Sequence, residues 1–374
     1  MKRIIVTLSR LLTGSVFVFS GFVKGVDPLG TAYKLEDYFA AYGVSWANDL
    51  SLGLSIFLCT VEFAIGVALL LHLKPRFTAW ALLLMMAFFT GLTFYDALYA
   101  PVPDCGCFGD AIKMTNWQTF YKNVVLMVFT VVVFSARKMP HRNLKKGLQT
   151  VILSFFAVLF MFFSIYNYRH LPMIDFRPWK VGNNMLGNPN AETNVYLVYK
   201  NKSTGEVKEY LSPNYPWNDS VWLNEWEFID QRFESTSQAI IHNLKAEDEA
   251  GNDFSSYILE SEMMFVFVAH DLLAIGSKAE KKLKTTSEIL HAMSSNQVLI
   301  TAGLPEELRA FKQKNKLSME AFYADGVVLK TMIRSNPGLM LLHRGTVMAK
   351  WHYNDFPSEK ELKELLKSIQ NNEN

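Results

Sequence analysis

Five apolar stretches, each about 20 residues long, fill most of the first 170 positions and decide what this chain can fold into. They run from about Ile4 to Val23, Leu50 to Leu73, Phe77 to Leu98, Thr119 to Ala136 and Leu148 to Tyr168. A hydrocarbon layer about 30 Å thick is crossed by roughly 20 residues of helix. A helix also satisfies its own backbone hydrogen bonds where lipid offers no partners. The pattern therefore predicts five transmembrane helices, with membrane lipid as an obligatory partner. The first stretch follows Lys2 and Arg3, as a cleaved signal peptide would. It is nevertheless long, contains Arg10 and lacks a small-x-small cleavage pattern, so a retained helix is expected. A net charge of +2 over 374 residues supplies no global field of the kind nucleic acid requires, and no nucleic-acid partner is expected.

The distribution of Lys and Arg sets an expected orientation. With the N-terminus inside, the inner segments hold Lys2, Arg3, Lys74, Arg76, Arg137, Lys138, Arg142, Lys145 and Lys146. The outer loops then hold only Lys24, Lys34, Lys113 and Lys122, among many acids. Five crossings place the C-terminal portion outside. Trp46, Tyr95, Tyr99, Trp117, Tyr121 and Tyr166 gather near the expected outer interface, as aromatic belts do.

The sharpest motif lies between the third and fourth spans: Pro103-Asp104-Cys105-Gly106-Cys107-Phe108-Gly109-Asp110. The chain has three cysteines, Cys59, Cys105 and Cys107, and none lies in the soluble half. Two thiols one residue apart can close a small strained ring, and Gly106 relaxes the backbone between them. Accessible strained disulfides suit exchange, and an outer compartment is oxidising. Three readings stay open: a redox-active pair, a static disulfide or inert thiols, and a metal site. The last is disfavoured because no His lies nearby and two thiolates cannot fill a tetrahedral shell; no metal is expected. Cys59, within the second span, reads as a small packing residue unless the motif dips into the bundle. Glu62 is expensive in hydrocarbon and must be protonated, paired or lining a polar cavity, which makes it a candidate for proton handling. Lys24 reads as a snorkelling cation, and Asp27-Pro28 as the end of the first helix.

The first span and its exit, RLLTGSVFVFSGFVKGVDPLGTAYKLEDYF, resemble the DoxX family, and PDCGCFGD followed by Trp117, Phe120, Lys122 and Asn123 resembles the MauE/DoxX-type redox-associated membrane proteins. The resemblance covers most of residues 1–140. It implies a four-helix membrane core tied to thiol–disulfide or electron-transfer chemistry outside the cytoplasm. It carries over Cys105 and Cys107 as the redox pair, and more weakly Lys24, Asp27 and Glu62 as charge-handling residues. Taken with the Lys and Arg bias, the expected location is a bacterial inner membrane, with the N-terminus cytoplasmic and the C-terminal domain periplasmic. The cofactor is unknown; a quinone is the lipid-soluble candidate.

Residues 141–170 are expected to form the fifth span, and residues 171–237 an irregular Trp-rich segment. There Trp217, Trp222 and Trp226 either form a partner-binding surface or pack a small domain poor in aliphatic residues. Residues 238–374 read as α/β. Ala239 to Ile241 suggests a short strand, the run MMFVFVA from Met263 a central strand buried on both faces, and Val298 to Thr301 a second. Ser277 with Glu280 and Ser358 with Glu361 read as capping boxes, and Arg344-Gly345 as a hairpin turn. This order resembles thioredoxin-like folds, with Pro337 at the family's cis-proline position and a site for a partner peptide. Where an active thioredoxin carries Cys-x-x-Cys, this chain has Ala274-Ile275-Gly276-Ser277, so the domain itself can exchange no dithiol. His270-Asp271 reads as loop, since no nucleophile accompanies it.

The expected fold class is thus an α-helical membrane bundle, a four-helix DoxX-like core plus a fifth transmembrane helix, followed by an α/β thioredoxin-like soluble domain. The expected function is thiol–disulfide exchange or electron transfer through the Cys105/Cys107 pair, as a thiol–disulfide oxidoreductase would perform it, with a periplasmic or inner-membrane protein partner. The alternative is a non-catalytic assembly subunit whose outer domain binds that partner.

Overall fold

A computed structural model describes the chain except residues 1, 103–105, 140–143, 187–192, 212–215, 217–218, 236–243 and 374. Cys105, Trp217 and the strand expected at Ala239 to Ile241 therefore lie outside the described residues. The chain divides into two compact units, Met1–Arg177 with Trp351–Asp355 and Pro178–Lys350 with Phe356–Asn374.

The first unit is helical: α1 (Lys2–Val26), α2 (Pro28–Ala41), α3 (Ser51–Leu70), α4 (Pro75–Tyr99), α5 (Asn116–Ser135) and α6 (Lys146–Arg169). Among the described residues, five helices are long and apolar enough to cross a membrane, and they fall on the five apolar stretches. The 14-residue α2 is too short to span, and no apolar run announces it. Its start is nonetheless written in the chain. Asp27 caps it by accepting from the Gly30 amide at 2.9 Å, and Pro28 stands at its first position. Asp27 thus ends one helix and opens the next.

Helices in lipid gain little from apolar burial against one another and rely on close packing instead. Gly21 and Gly66 supply it between α1 and α3. A Cβ on Gly66 would lie 2.6 Å from the Val18 amide nitrogen, and one on Gly21 2.8 Å from that of Phe63. Phe17, Ile65, Leu69, Leu82, Met86 and Leu126 fill the bundle core around this contact. At the far end of α3, Arg10 donates to the Leu69 carbonyl at 2.6 Å and the Leu70 carbonyl at 3.3 Å, adding a side-chain donor at the helix end, where carbonyls lack intrahelical partners.

The second unit carries two sheets. Residues 171–237 are not irregular throughout: β1 (Thr193–Asn201), β2 (Val207–Leu211) and β3 (Trp226–Ser235) form an antiparallel sheet of order β2-β1-β3, with the short helix α7 (Ser220–Glu225) before β3. Alternating Val195, Leu197 and Tyr199 on β1 suit a strand, and the Asn and Trp content masks that period.

After α8 (Ser255–Glu260) come β4 (Met264–Ala269), α9 (Ser277–Ala292), β5 (Gln297–Thr301), α10 (Pro305–Asn315), β6 (Glu320–Tyr323), α11 (Gly326–Met332), β7 (Gly338–His343), β8 (Thr346–His352) and α12 (Glu359–Glu373). The sheet order is β6-β5-β4-β7-β8, with β4, β5 and β6 parallel and β7 antiparallel to β4. Every residue of β4 is buried, as a continuous apolar run in a central strand requires. Arg344 and Gly345 both have positive φ, 45° and 76°, and turn the β7–β8 hairpin where expected. The Ser358–Glu361 capping box forms at the start of α12. The one expected at Ser277 does not: Gly276 holds the cap position, and Glu280 accepts from Lys314 at 2.7 Å instead. A nearby cation outcompetes an exposed backbone amide for that carboxylate.

Two outcomes follow. Gly66→Ala pushes α1 from α3 and is expected to cost about 1–3 kcal/mol. Gly53→Ala, with no atom within 4 Å of the new Cβ, is expected to be neutral or mildly stabilising. Thermal melting of the purified full-length protein, followed by size exclusion, separates the two. In the second unit, burial, with the Lys330 and Arg334 charges against the opposing Asp271, pushes the His270 imidazole down to about 4 from 6.5. The unfolded chain therefore takes up this proton first on acidification. Stability is full above about pH 6.5 and falls by up to about 3 kcal/mol toward pH 4. Denaturant unfolding at pH 7 and pH 4.5 is expected to show that loss in the native chain and a smaller one in His270→Gln.

Candidate functional site

The chemistry-bearing residues of the membrane unit collect at the end of the bundle that carries the α4–α5 connection. Lys24, in the last turn of α1, donates to Glu62 Oε2 on α3 at 2.7 Å, and both side chains are buried. Of the options open to an acid in a span, Glu62 takes the paired one. Lys24 does not snorkel: it turns inward, with the Phe89 ring 5.7 Å away. Removing two charges from water is costly, and each ion here is tolerable because the other is present.

The described part of the cysteine motif, from Gly106 onward, packs against the same helices. Gly106 and Gly109 take left-handed φ values of 63° and 52°, and the Gly109 amide closes a turn on the Gly106 carbonyl at 3.0 Å. Ser20 on α1 donates to the Cys107 carbonyl at 2.7 Å and ties the loop to the bundle. Phe108 sits 5.6 Å from the Phe19 ring and under the Lys122 ammonium at 4.4 Å, so Lys122 also turns to a ring face. This part of the motif thus lies against the helices rather than standing off them. Lys24 lies within electrostatic reach of both Cys107 and Cys59, and Cys59 is fully buried one turn before Glu62.

These groups border a cavity of about 450 Å³. Cys107, Lys24, Glu62, Tyr38 and Asn123 reach its wall, which is otherwise largely aliphatic and aromatic. Two further polar pairs stand beside the ion pair. Tyr38 on α2 donates to Asp96 on α4 at 2.6 Å, and Asn123 on α5 donates to the Thr93 hydroxyl at 3.1 Å. Asp96 is 1 % exposed, and its second carboxyl oxygen has no hydrogen-bond partner among the described residues. Sequence reasoning missed Asp96, although the criterion that singled out Glu62, an acid inside an apolar span, applies equally to it.

The other expected site residues stand apart from this group. Asp27 caps α2. Trp222 and Trp226 are buried and stacked, with ring centroids 6.0 Å apart, and Tyr199 and Tyr210 pack edge-on against Trp222. Their rings fill the small sheet's own interior rather than a surface for a partner. The Asn336–Pro337 peptide is cis, and Asn336 bonds the β4–α9 loop by donating to the Asp271 carbonyl at 2.6 Å. Asp271 itself accepts from the Leu273 and Ala274 amides, both at 3.0 Å, the work of a turn residue.

The ion pair makes a direct demand on stability. Lys24→Met strands the Glu62 carboxylate and is expected to cost about 3–5 kcal/mol. The double variant Lys24→Met/Glu62→Met removes both charges and is expected to recover most of that loss. Melting temperatures of the purified proteins in detergent test the ordering.

The model of the family described as methylamine utilisation protein MauE matches residues 2–136. The match ends just after α5 and leaves α6 and the second unit outside it. No curated protein matches the chain. Residues 2–136, which contain the ion pair, the cavity and the cysteine motif, are thus similar to the MauE family of membrane proteins.

Proposed function

We propose that this is a bacterial inner-membrane redox protein in which Cys105 and Cys107 interconvert between dithiol and disulfide and exchange with a protein partner on the periplasmic face. The observation that carries the reading is the placement of Cys107. It borders a cavity beside a buried ion pair, and its loop is held there by Ser20. A structural staple has no need of such a setting, whereas a thiol that changes oxidation state needs controlled access and nearby groups able to take protons. The Lys and Arg bias supports a cytoplasmic N-terminus and a periplasmic cysteine face.

In this reading the second unit is a thioredoxin-like module that recognises the partner. The parallel β4–β5 pair flanked by the antiparallel β7–β8 hairpin, and the Pro337 loop bonded to the β4–α9 loop, support it. At the start of α9 stand Ala274 to Ser277 instead of cysteines, and the adjacent Leu273 is 78 % exposed. That loop also favours the second reading, a non-catalytic assembly subunit that acts by binding alone.

Alkylation trapping in intact cells tests the choice. Wild-type protein is expected to shift between alkylated dithiol and protected disulfide as the growth medium turns from reducing to oxidising. Cys105→Ser and Cys107→Ser are each expected to abolish the shift and capture mixed disulfides with the partner. A redox state that never changes, together with full function and partner co-purification in the double serine variant, would establish the assembly reading instead.

A further inference from the structure

The end of the bundle opposite the cysteine motif draws on residues 1–12, 68–80 and 131–150. These segments hold ten Lys and Arg and no Asp or Glu. A surplus of cations on one side is what topology alone requires, so it assigns no ligand by itself. Two of the ten are placed otherwise. Arg10 lies about two turns inside α1, and Arg137 just beyond the end of α5. Both line one notch between α1, the α3–α4 turn and α5. We infer that this notch is a site for the phosphate headgroup of an anionic phospholipid; the inference goes beyond the exchange reading and does not depend on it.

The two guanidiniums have donors to spare. Arg10 uses Nη1 on the Leu69 and Leu70 carbonyls, and Arg137 uses Nη1 on the Phe134 carbonyl at 2.8 Å. Capping the ends of α3 and α5 thus accounts for one nitrogen of each. A guanidinium carries five N–H groups over three nitrogens, and the Nε and Nη2 groups of both make no hydrogen bond among the described residues. Arg137 is also held in place. Its guanidinium lies 3.8 Å from the Phe134 ring centroid and 5.8 Å from that of Trp80, and Trp80 meets Phe134 edge-on at 4.6 Å. Trp80 is half exposed, and tryptophans of this kind sit at the depth of the lipid headgroups.

Space and wall chemistry select the ligand. The notch holds about 30 Å³, and a water needs roughly 10–15 Å³, so two oxygen-sized atoms fit. A phosphodiester presents two non-bridging oxygens, and forked guanidinium donors match them. The rest of the wall is largely aliphatic, Val6, Leu73 and Val133 among it, which suits a phosphate continued by glycerol and acyl chains and not a fully hydrated ion. With no carboxylate in these segments, a choline cation finds no partner, and a headgroup of net negative charge is favoured.

Native mass spectrometry of the full-length protein in detergent, titrated with dioleoyl phosphatidylglycerol or phosphatidylcholine, tests the site. Phosphatidylglycerol is expected to bind about tenfold more tightly, and Arg10→Gln/Arg137→Gln to lose about that factor, the scale of one charged hydrogen bond. Lys138→Gln/Lys146→Gln, which removes two exposed cations of the same end, is expected to keep the preference. Arg137→Gln alone leaves the Arg10 cap on α3 intact and is expected to weaken phosphatidylglycerol severalfold, so the site stays testable if the double variant does not fold. Equal binding of the two lipids, or an equal loss in the Lys138/Lys146 variant, would reduce the site to diffuse surface charge and overturn the inference. Arginine variants that melt earlier yet keep the preference would leave Arg10 and Arg137 as helix caps only. Thermal stabilisation by inorganic phosphate as large as that by phosphatidylglycerol would overturn the lipid as the source of the phosphate.

Discussion

A charge inside a membrane must be met by its opposite, and the 2.7 Å contact between Lys24 and Glu62 is the constraint around which the bundle is arranged. It fixes the facing of two helices at once. Rotating α1 by one residue would carry Lys24 about 100° away from α3 and leave Glu62 in hydrocarbon without a partner. Packing alone tolerates such slips more easily, since lipid and neighbouring helices are similarly apolar. The pair therefore specifies register.

The close approach of α1 to α3 sets the rest. Gly21 and Gly66 bring the two backbones together, so neither glycine can gain a side chain without moving a helix. With α1 held against α3, the side chains between that pair and α4 and α5 do not close completely, and the cavity lies there. Tyr38 comes from α2, whose cap at Asp27 directs the chain back across the bundle end. A helix too short to span thus supplies a wall group, and the residue that seemed only to end α1 places it.

The spans were legible because hydropathy over about 20 residues is a strong signal, and the β7–β8 turn and the α12 cap because each is written in adjacent residues. Glu62 was legible as costly but not as paired. Its partner lies 38 positions away, and no local pattern joins them. The small sheet escaped notice because its strands mix Asn, Lys and Glu with aromatics, which blurs a period of two. The tryptophans beside it left interior packing and a partner surface both open for a similar reason: aromatic density does not tell inside from outside. Asp96 was missed although its signal was present.

The distribution of sulfur constrains any division of labour more firmly than either domain's shape. All three cysteines precede residue 108, and the sheet-bearing unit contains none. Thiol chemistry in this protein therefore belongs to the helical unit. Cys59 has a bearing on that chemistry. In sequence it reads as packing if the Cys-Gly-Cys motif stands clear of the helices, and the described part of the motif does not: Ser20 holds Cys107, and Lys24 lies within electrostatic reach of both Cys59 and Cys107. Complete burial still argues for a packing role, since an exchanging thiol needs an approach path to its sulfur. Cys107, only partly buried on the cavity wall, has one.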